Sequence, residues 1–112
     1  SEETPDCNGL NAALFEIRQN LSLPLDIEQL CRLACMSRTK FFEQFKTHLG
    51  CTPVAYQQQL RLKQAAEMIK QGQQITQVCF DLGYVNASHF SRCFKQFYGL
   101  CPSEFKLRHL RN

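Results

Sequence analysis

The chain has 112 residues, of which 44% are hydrophobic and nine are Phe, enough to form one domain or two small helical lobes. No apolar run approaches ~18 residues, which excludes a membrane-spanning helix, and no secretory signal appears at the start of the sequence. Charge is uneven: residues 1–36 carry two basic and six acidic residues (net −4), and residues 37–112 carry eleven and four (net +7). The later part therefore has either an anionic partner or a solvated charged face.

The seven Cys are an odd number and include no C-x2-C pair. No zinc-ligand spacing joins them to the three His, so we predict neither a metal site nor a cofactor. Cys31, Cys79 and Cys93 fall on predicted core faces, where a free thiol behaves as a small hydrophobe. Free thiols fit a reducing cytoplasm.

The first third of the chain predicts a linker end and two helices. Residues 1–8 are polar and acidic and are predicted to be the end of a linker. An apolar stripe then predicts a helix over about residues 9–20. Asp26 is a predicted cap for a second helix, with Gln29 three residues later as in a capping box.

Cap residues and glycines mark the ends of the later helices. Ser37 begins a third helix that stops at Gly50, and Thr52 precedes the longest helix, over about residues 53–71. A short helix follows with Ile75, Val78, Cys79 and Leu82 on one face, and Gly83 ends it. Asn86 begins a helix that ends at Gly99, and Pro102 begins the last one. No strand pattern is present, so the predicted class is all-α with seven helices.

The sequence repeats itself. Phe41-x3-Phe45-Lys46-x3-Gly50-x2-Pro53 returns 49 residues later as Phe90-x3-Phe94-Lys95-x3-Gly99-x2-Pro102. Upstream of the turn the offset is 48, so the second turn has gained one residue. The repeat predicts two helix-turn-helix lobes, residues 9–51 and 73–112, joined by a linker helix over residues 52–72.

The second helix of each lobe has a polar outward face. Helical spacing directs Phe41, Gln44, Phe45 and His48 inward in the first lobe, and Phe90, Cys93, Phe94 and Phe97 inward in the second. In the first lobe the opposite face carries Thr39, Glu43 and Lys46, with Arg38 and Phe42 at its edges. In the second lobe it carries Ser88, Arg92 and Lys95, with His89 at one edge. A recognition helix reads base edges with its N-terminal residues, whereas Lys46 and Lys95 come later, where phosphate is the expected contact. Phe42 is predicted either to touch a thymine methyl group or to pack against another domain.

The repeat and the stretch LGYVNASHFSRCFKQFYGLCPSEFK (residues 82–106) resemble the DNA-binding domain of the AraC/XylS transcription regulators, over about residues 10–110. The resemblance implies two lobes that place recognition helices in adjacent major-groove segments of promoter DNA. It implies base reading by residues that match the family's reading positions, namely Arg38, Thr39, Phe42 and Glu43, then Ala87, Ser88, His89 and Arg92. Of these, Phe42, Glu43 and Ala87 are poor hydrogen-bond donors. It also implies activation through RNA polymerase and a preceding effector or dimerisation domain.

Two other classes of function stay open from the residues alone. The acidic first third and Glu43 on a recognition face are compatible with a helical protein–protein interaction module that has lost DNA binding. The seven Cys are compatible with a thiol or metal sensor. No nucleophile–base pair, carboxylate pair or phosphate loop is visible, so we predict that the chain is not an enzyme.

Overall fold

The structure, a computed structural model, describes residues 5–110, with side chains from Gly9 onward. In this range it consists of seven helices without a strand, which confirms the predicted all-α class. They are α1 (Pro5–Gln19), α2 (Ile27–Ala34), α3 (Arg38–Leu49), α4 (Pro53–Lys70), α5 (Ile75–Asp81), α6 (Ala87–Tyr98) and α7 (Pro102–Leu110). None of these helices is long and apolar enough to cross a membrane.

The chain forms two compact units, the first ending at Gln58 and the second starting at Gln59. The break falls inside α4, so each unit includes part of this helix. The sequence instead set the whole helix apart as a linker over residues 52–72, and that division stays a prediction.

Helix α1 begins earlier than the sequence predicted. It starts at Pro5, so residues 5–8, predicted to be a linker end, are helical, while residues 1–4 lie outside the described range. Proline is compatible with the first turn of a helix because its missing N–H has no partner there. Further along, a side chain at Gly9 would collide with the backbone carbonyl of Ala34, so glycine allows α1 to approach the end of α2 closely.

The core of the first unit is built around Phe45, which is fully buried. Its ring centroid lies 5.6 Å from those of both Phe41 and Tyr56. Besides Pro53 of α4, the other buried apolar side chains come from the first two helices: Leu10, Ala13, Leu14, Ile17, Leu30 and Ala34. The buried amide of Gln57 donates a hydrogen bond to the carbonyl of Leu23 (2.8 Å). This bond satisfies the amide donor in the core.

Phe94 has the same place in the second unit. It is fully buried, and its ring lies 4.8 Å from Tyr98, 5.2 Å from Phe105 and 5.8 Å from Phe90. Besides Pro102 of α7, the remaining buried apolar side chains come from three other segments: Leu62, Ala65, Ala66, Ile69, Val78, Cys79, Leu82 and Tyr84. Phe45 and Phe94 are thus the central core residues that the repeat predicted.

Four predicted helix caps are present, among them Thr52 before α4, whose hydroxyl accepts a hydrogen bond from the N–H of Ala55 (3.2 Å). The side chain of Asp26 accepts a hydrogen bond from the N–H of Gln29 (3.1 Å), which is the first half of a capping box. Ser37 caps α3 and Asn86 caps α6 in the same manner, at 3.2 and 2.9 Å. The caps of α3 and α6 matter for function because they set where each outward face begins.

Helices α2 and α5 end in the same kind of turn. In each, two N–H groups donate to carbonyls of the preceding helix, at 3.1 Å in all four bonds: Cys35 to Arg32 and Met36 to Cys31, and Gly83 to Phe80 and Tyr84 to Cys79. The left-handed position is held by Cys35 (φ 57°) in the first unit and by Gly83 (φ 97°) in the second. The caps follow at Ser37 and Asn86, so the residue gained by the second turn is Val85.

The predicted burial of two residues is wrong. His48 and Phe97 are exposed, although each lies seven residues after the first buried Phe of its helix. Helical spacing gives a side chain's direction but not how far the covering elements extend, and both residues lie in the last turn before a glycine. The thiols of Cys31 and Cys93, also predicted to be buried, are only half-buried, whereas Cys79 is buried as predicted.

Candidate nucleic-acid interface

Helix α3 presents the predicted polar face to solvent. Arg38, Thr39, Glu43 and Lys46 are all exposed, while Phe41 and Phe45 hold the opposite side of the helix in the core. With Ser37 as the cap, Arg38 and Thr39 lie in the first turn, which is the part of a recognition helix that reaches base edges.

Phe42 links this face to the core. It is half-buried, and its ring lies edge-on to Phe41 at 5.9 Å between centroids. The guanidinium carbon of Arg38 lies 5.5 Å from the centre of the Phe42 ring, within the range of a cation–π contact. Part of the Phe42 ring therefore supports Arg38, and only the remainder is open to another molecule.

Helix α6 repeats the arrangement with different side chains. Ala87, Ser88, His89, Arg92 and Lys95 are exposed, opposite the buried Phe90 and Phe94. A cationic and hydrogen-bonding surface therefore follows the Asn86 cap and extends over about two turns of the helix.

The His89 ring has two neighbours that define its position. Its Nε2 atom lies 3.7 Å from Sγ of Cys93, one turn later, and its ring centroid lies 6.0 Å from that of Tyr84. These contacts place the imidazole between the buried tyrosine and the outward face, rather than leaving it to extend alone into solvent.

The buried side chain of Tyr84 anchors the turn before α6 to the core. It is buried, packs against Phe90 at 5.0 Å between ring centroids, and lies under the guanidinium of Arg61, 5.6 Å from its ring centre. Burial, with a further contribution from Cys93 and against the opposing effect of Arg61, raises the pKa of Tyr84 to about 12. Burial also lowers the pKa of Arg61, which the neighbouring Tyr84 partly offsets. The turn before α6 is therefore anchored by an aromatic and cationic stack.

The structure thus brings together, within each unit, the residues that the sequence predicted to face outward. Sequence reasoning did not single out Tyr84, because a residue in a turn has no helical neighbours whose spacing would indicate burial, nor Arg61 of α4, whose contact with Tyr84 joins two separate segments. It also missed Val85, whose exposure follows from its position as the gained residue of the second turn.

A model of a helix-turn-helix domain family matches residues 30–108. An HTH-type transcriptional regulator of uncharacterised role from Haemophilus influenzae is 39% identical over 98 residues, 87% of this chain and 33% of that protein. An AraC-type DNA-binding domain protein from Chromobacterium violaceum has a similar fold, with a TM-score of 0.84, 25% identity, and coverage of 92% of this chain and 93% of that chain.

The chain belongs to the AraC/XylS family. The matched region is the DNA-binding domain of these transcription regulators, a family of regulators rather than of enzymes. The DNA-binding domain of AdpA, solved in complex with a target DNA, shares the AraC-type fold with a TM-score of 0.81 at 20% identity, over 90% of this chain and 92% of that chain. The chain spans about a third of the length of the H. influenzae regulator.

Proposed function

We propose that this AraC-type domain recognises a specific double-stranded DNA sequence through the outward faces of α3 and α6, which enter adjacent segments of the major groove. The observation that carries this proposal is the position of the ten predicted contact residues. Nine of them are exposed and Phe42 is half-buried at the edge of its face, on capped helices whose opposite sides are anchored by buried Phe residues. A rigid helix with polar N-terminal turns suits direct reading of base edges.

Each side chain has a proposed role. Arg38 and Arg92 suit a guanine edge, which offers two acceptors to one guanidinium group. Thr39, Ser88 and His89 suit single hydrogen bonds, and the exposed part of Phe42 and the methyl group of Ala87 suit apolar contact. Glu43 suits the amino group of cytosine. Lys46 and Lys95 follow a turn or more later, where we place phosphate contacts.

The charge distribution supports this arrangement. Residues 37–112 carry eleven Lys and Arg against four acidic residues. Two of the acids, Glu67 and Glu104, pair with Lys70 and Arg108 at 3.3 and 3.2 Å. The basic residues of the two recognition helices include Arg38, Lys46, Arg92 and Lys95. Glu43 is the single acidic residue of these two helices. A surface of this composition attracts the DNA backbone.

For the whole protein we propose a cytoplasmic transcription activator that contacts RNA polymerase at promoters. We also propose an effector-binding or dimerisation domain preceding this one, and no enzymatic activity. These proposals rest on membership of the family and on the length of the H. influenzae relative, of which the chain covers 33%.

Selection of bound sequences from a random duplex pool tests the central proposal. We expect one enriched site with two separate specified segments, one for each recognition helix. On that site the logarithm of the affinity should fall with the logarithm of the salt concentration, with a slope of about −0.9 for each phosphate contacted. A pool that shows no enrichment, or a slope near zero, would favour the alternative of an interaction module that does not bind DNA.

A further inference from the structure

Val85 is an apolar residue placed where packing does not require one. Its side chain is 91% exposed, the highest exposure among the large hydrophobic residues described. The first unit passes directly from Met36 to its cap Ser37, so a turn of this type closes without an additional residue. Neither burial nor closure of the turn therefore explains a valine here.

The position of Val85 is continuous with the proposed reading face of α6. It immediately precedes the cap Asn86, and the first exposed side chain of the helix is the small apolar Ala87. Ser88 and the other hydrogen-bonding residues follow. Apart from Asn86, whose side-chain oxygen accepts the capping hydrogen bond from the N–H of His89, the start of this face is therefore apolar.

The chemistry of the major groove limits what such an edge can recognise. The exposed edges of the bases carry hydrogen-bond donors and acceptors, which lose water without compensation when an alkyl group covers them. The 5-methyl group of thymine is the apolar exception. A valine that reaches the groove gains free energy only when it meets that methyl group.

We propose that Val85 is a further specificity-determining residue, which selects a thymine by packing against its 5-methyl group at the edge of the segment read by α6. The proposal rests on the proposed function, since it requires the N-terminal end of α6 to enter the groove. It adds one specified base pair to the site of the second unit, without a counterpart in the shorter turn of the first unit.

Replacement of thymine by deoxyuridine in the selected site tests this directly, because it removes the methyl group and leaves every hydrogen-bonding atom in place. Each thymine is replaced singly, and affinity is measured for the parent protein and for Val85→Ala. We expect one replacement to weaken the parent about fourfold, the effect of losing one buried methyl group. The same replacement should have almost no effect on Val85→Ala, which has already lost the contact.

Val54→Ala is the matched control, because Val54 is also an exposed valine (64%) and lies on α4. It should retain the full effect of the uracil. Both variants should unfold at the temperature of the parent, since neither valine is buried. If no uracil weakens the parent, or if the uracil effect is the same in Val85→Ala, the proposal for Val85 is wrong even though the site is bound. If the selection yields no site at all, the proposed function fails and this proposal with it.

Discussion

The guanidinium of Arg61 lies over the ring of Tyr84, with its central carbon 5.6 Å from the ring centre. One residue comes from the longest helix and the other from the turn that leads into α6. The stack buries the tyrosine against Phe90 and so connects the core of the second unit to the first residues of its recognition helix.

This burial predicts a loss of stability at high pH. The pKa of Tyr84 is raised by burial from 10.0 to about 12 in the folded protein. Between these values the unfolded chain has lost a proton that the folded chain keeps, so the free energy of unfolding falls as the pH rises. Denaturant unfolding across this range should show a steeper fall for the parent than for Tyr84→Phe. Parallel curves would contradict the assigned environment of Tyr84.

Phe94 and Phe97 lie on the same helix and should respond differently to truncation. Phe94→Ala removes a fully buried ring and should lower the free energy of unfolding by about 3–5 kcal/mol. Phe97 is 41% exposed, so Phe97→Ala should cost clearly less. Phe45→Ala should reproduce the larger effect in the first unit. Equal losses at Phe94 and Phe97, measured by denaturant unfolding, would mean that the inward face of α6 is assigned incorrectly.

Arg92 and Lys95 separate base reading from backbone contact. Arg92→Ala should cost about 1–3 kcal/mol on the best site and relax the preference at one or two base pairs. Lys95→Ala should weaken all sequences alike and reduce the salt slope by about 1. Binding to the selected site and to a scrambled duplex, measured over a series of salt concentrations, distinguishes the two. The assignment would be reversed if Lys95→Ala changed the preferred sequence while Arg92→Ala did not. Circular dichroism must first establish that both variants keep their helical content.

Cys101 is expected to be more readily alkylated near neutral pH than a thiol with an ordinary pKa. Its Sγ atom lies 3.4 Å from the hydroxyl of Ser103, and this hydrogen bond, followed by one with the backbone of Glu104, lowers the pKa of the thiol. Because the thiolate is the reactive form, Ser103→Ala should slow alkylation of Cys101 near neutral pH and leave the rate unchanged where the thiol is fully ionised. Mass spectrometry after timed iodoacetamide treatment measures both rates. Cys79 is an internal control, since burial raises its pKa and blocks access in the folded state.

Cys35 is expected to store strain in the first turn. It is the one residue other than glycine with a positive φ in the described part of the chain. A left-handed conformation costs such a residue about 1–2 kcal/mol. Glycine avoids this cost, but its greater conformational freedom in the unfolded state offsets part of the gain in stability. Cys35→Gly should therefore stabilise the first unit by roughly 0.5–1 kcal/mol, and Cys35→Ala should not. Thermal unfolding of the two variants provides the comparison, and destabilisation by glycine would count against strain at this position.

Local signals explain how much of the fold the sequence could predict. Ser37 and Asn86 determine where two helices begin through a bond to an N–H three residues later, so their role is visible in sequence alone. The two Phe residues of each F-x3-F pattern are one turn apart and face the same core. Such features depend on near neighbours in the chain.

The errors have the opposite origin. Burial of His48 or Phe97 would require another element to extend past the end of its helix, which helical spacing does not encode. The burial of Tyr84 depends on Arg61, which is 23 positions away in the sequence. For the candidate interface, the sequence predicted the exposure of nine of the ten proposed contact residues, and Phe42 is half-buried. The contacts of Phe42 with Arg38 and of His89 with Cys93 required atomic positions.

The single additional residue in the second turn also limits how these lobes can be engineered. Because the motif is present twice, α6 could be grafted in place of α3 in order to transfer the DNA preference of α6. Such a chimera would carry Ala87 to Lys95 but omit Val85, which lies outside the helix and has no counterpart between Met36 and Ser37. On the proposal that Val85 selects a base, a graft that is meant to transfer the whole preference must begin at Tyr84 and lengthen the recipient loop, so the modular unit of this repeat is the turn together with its helix.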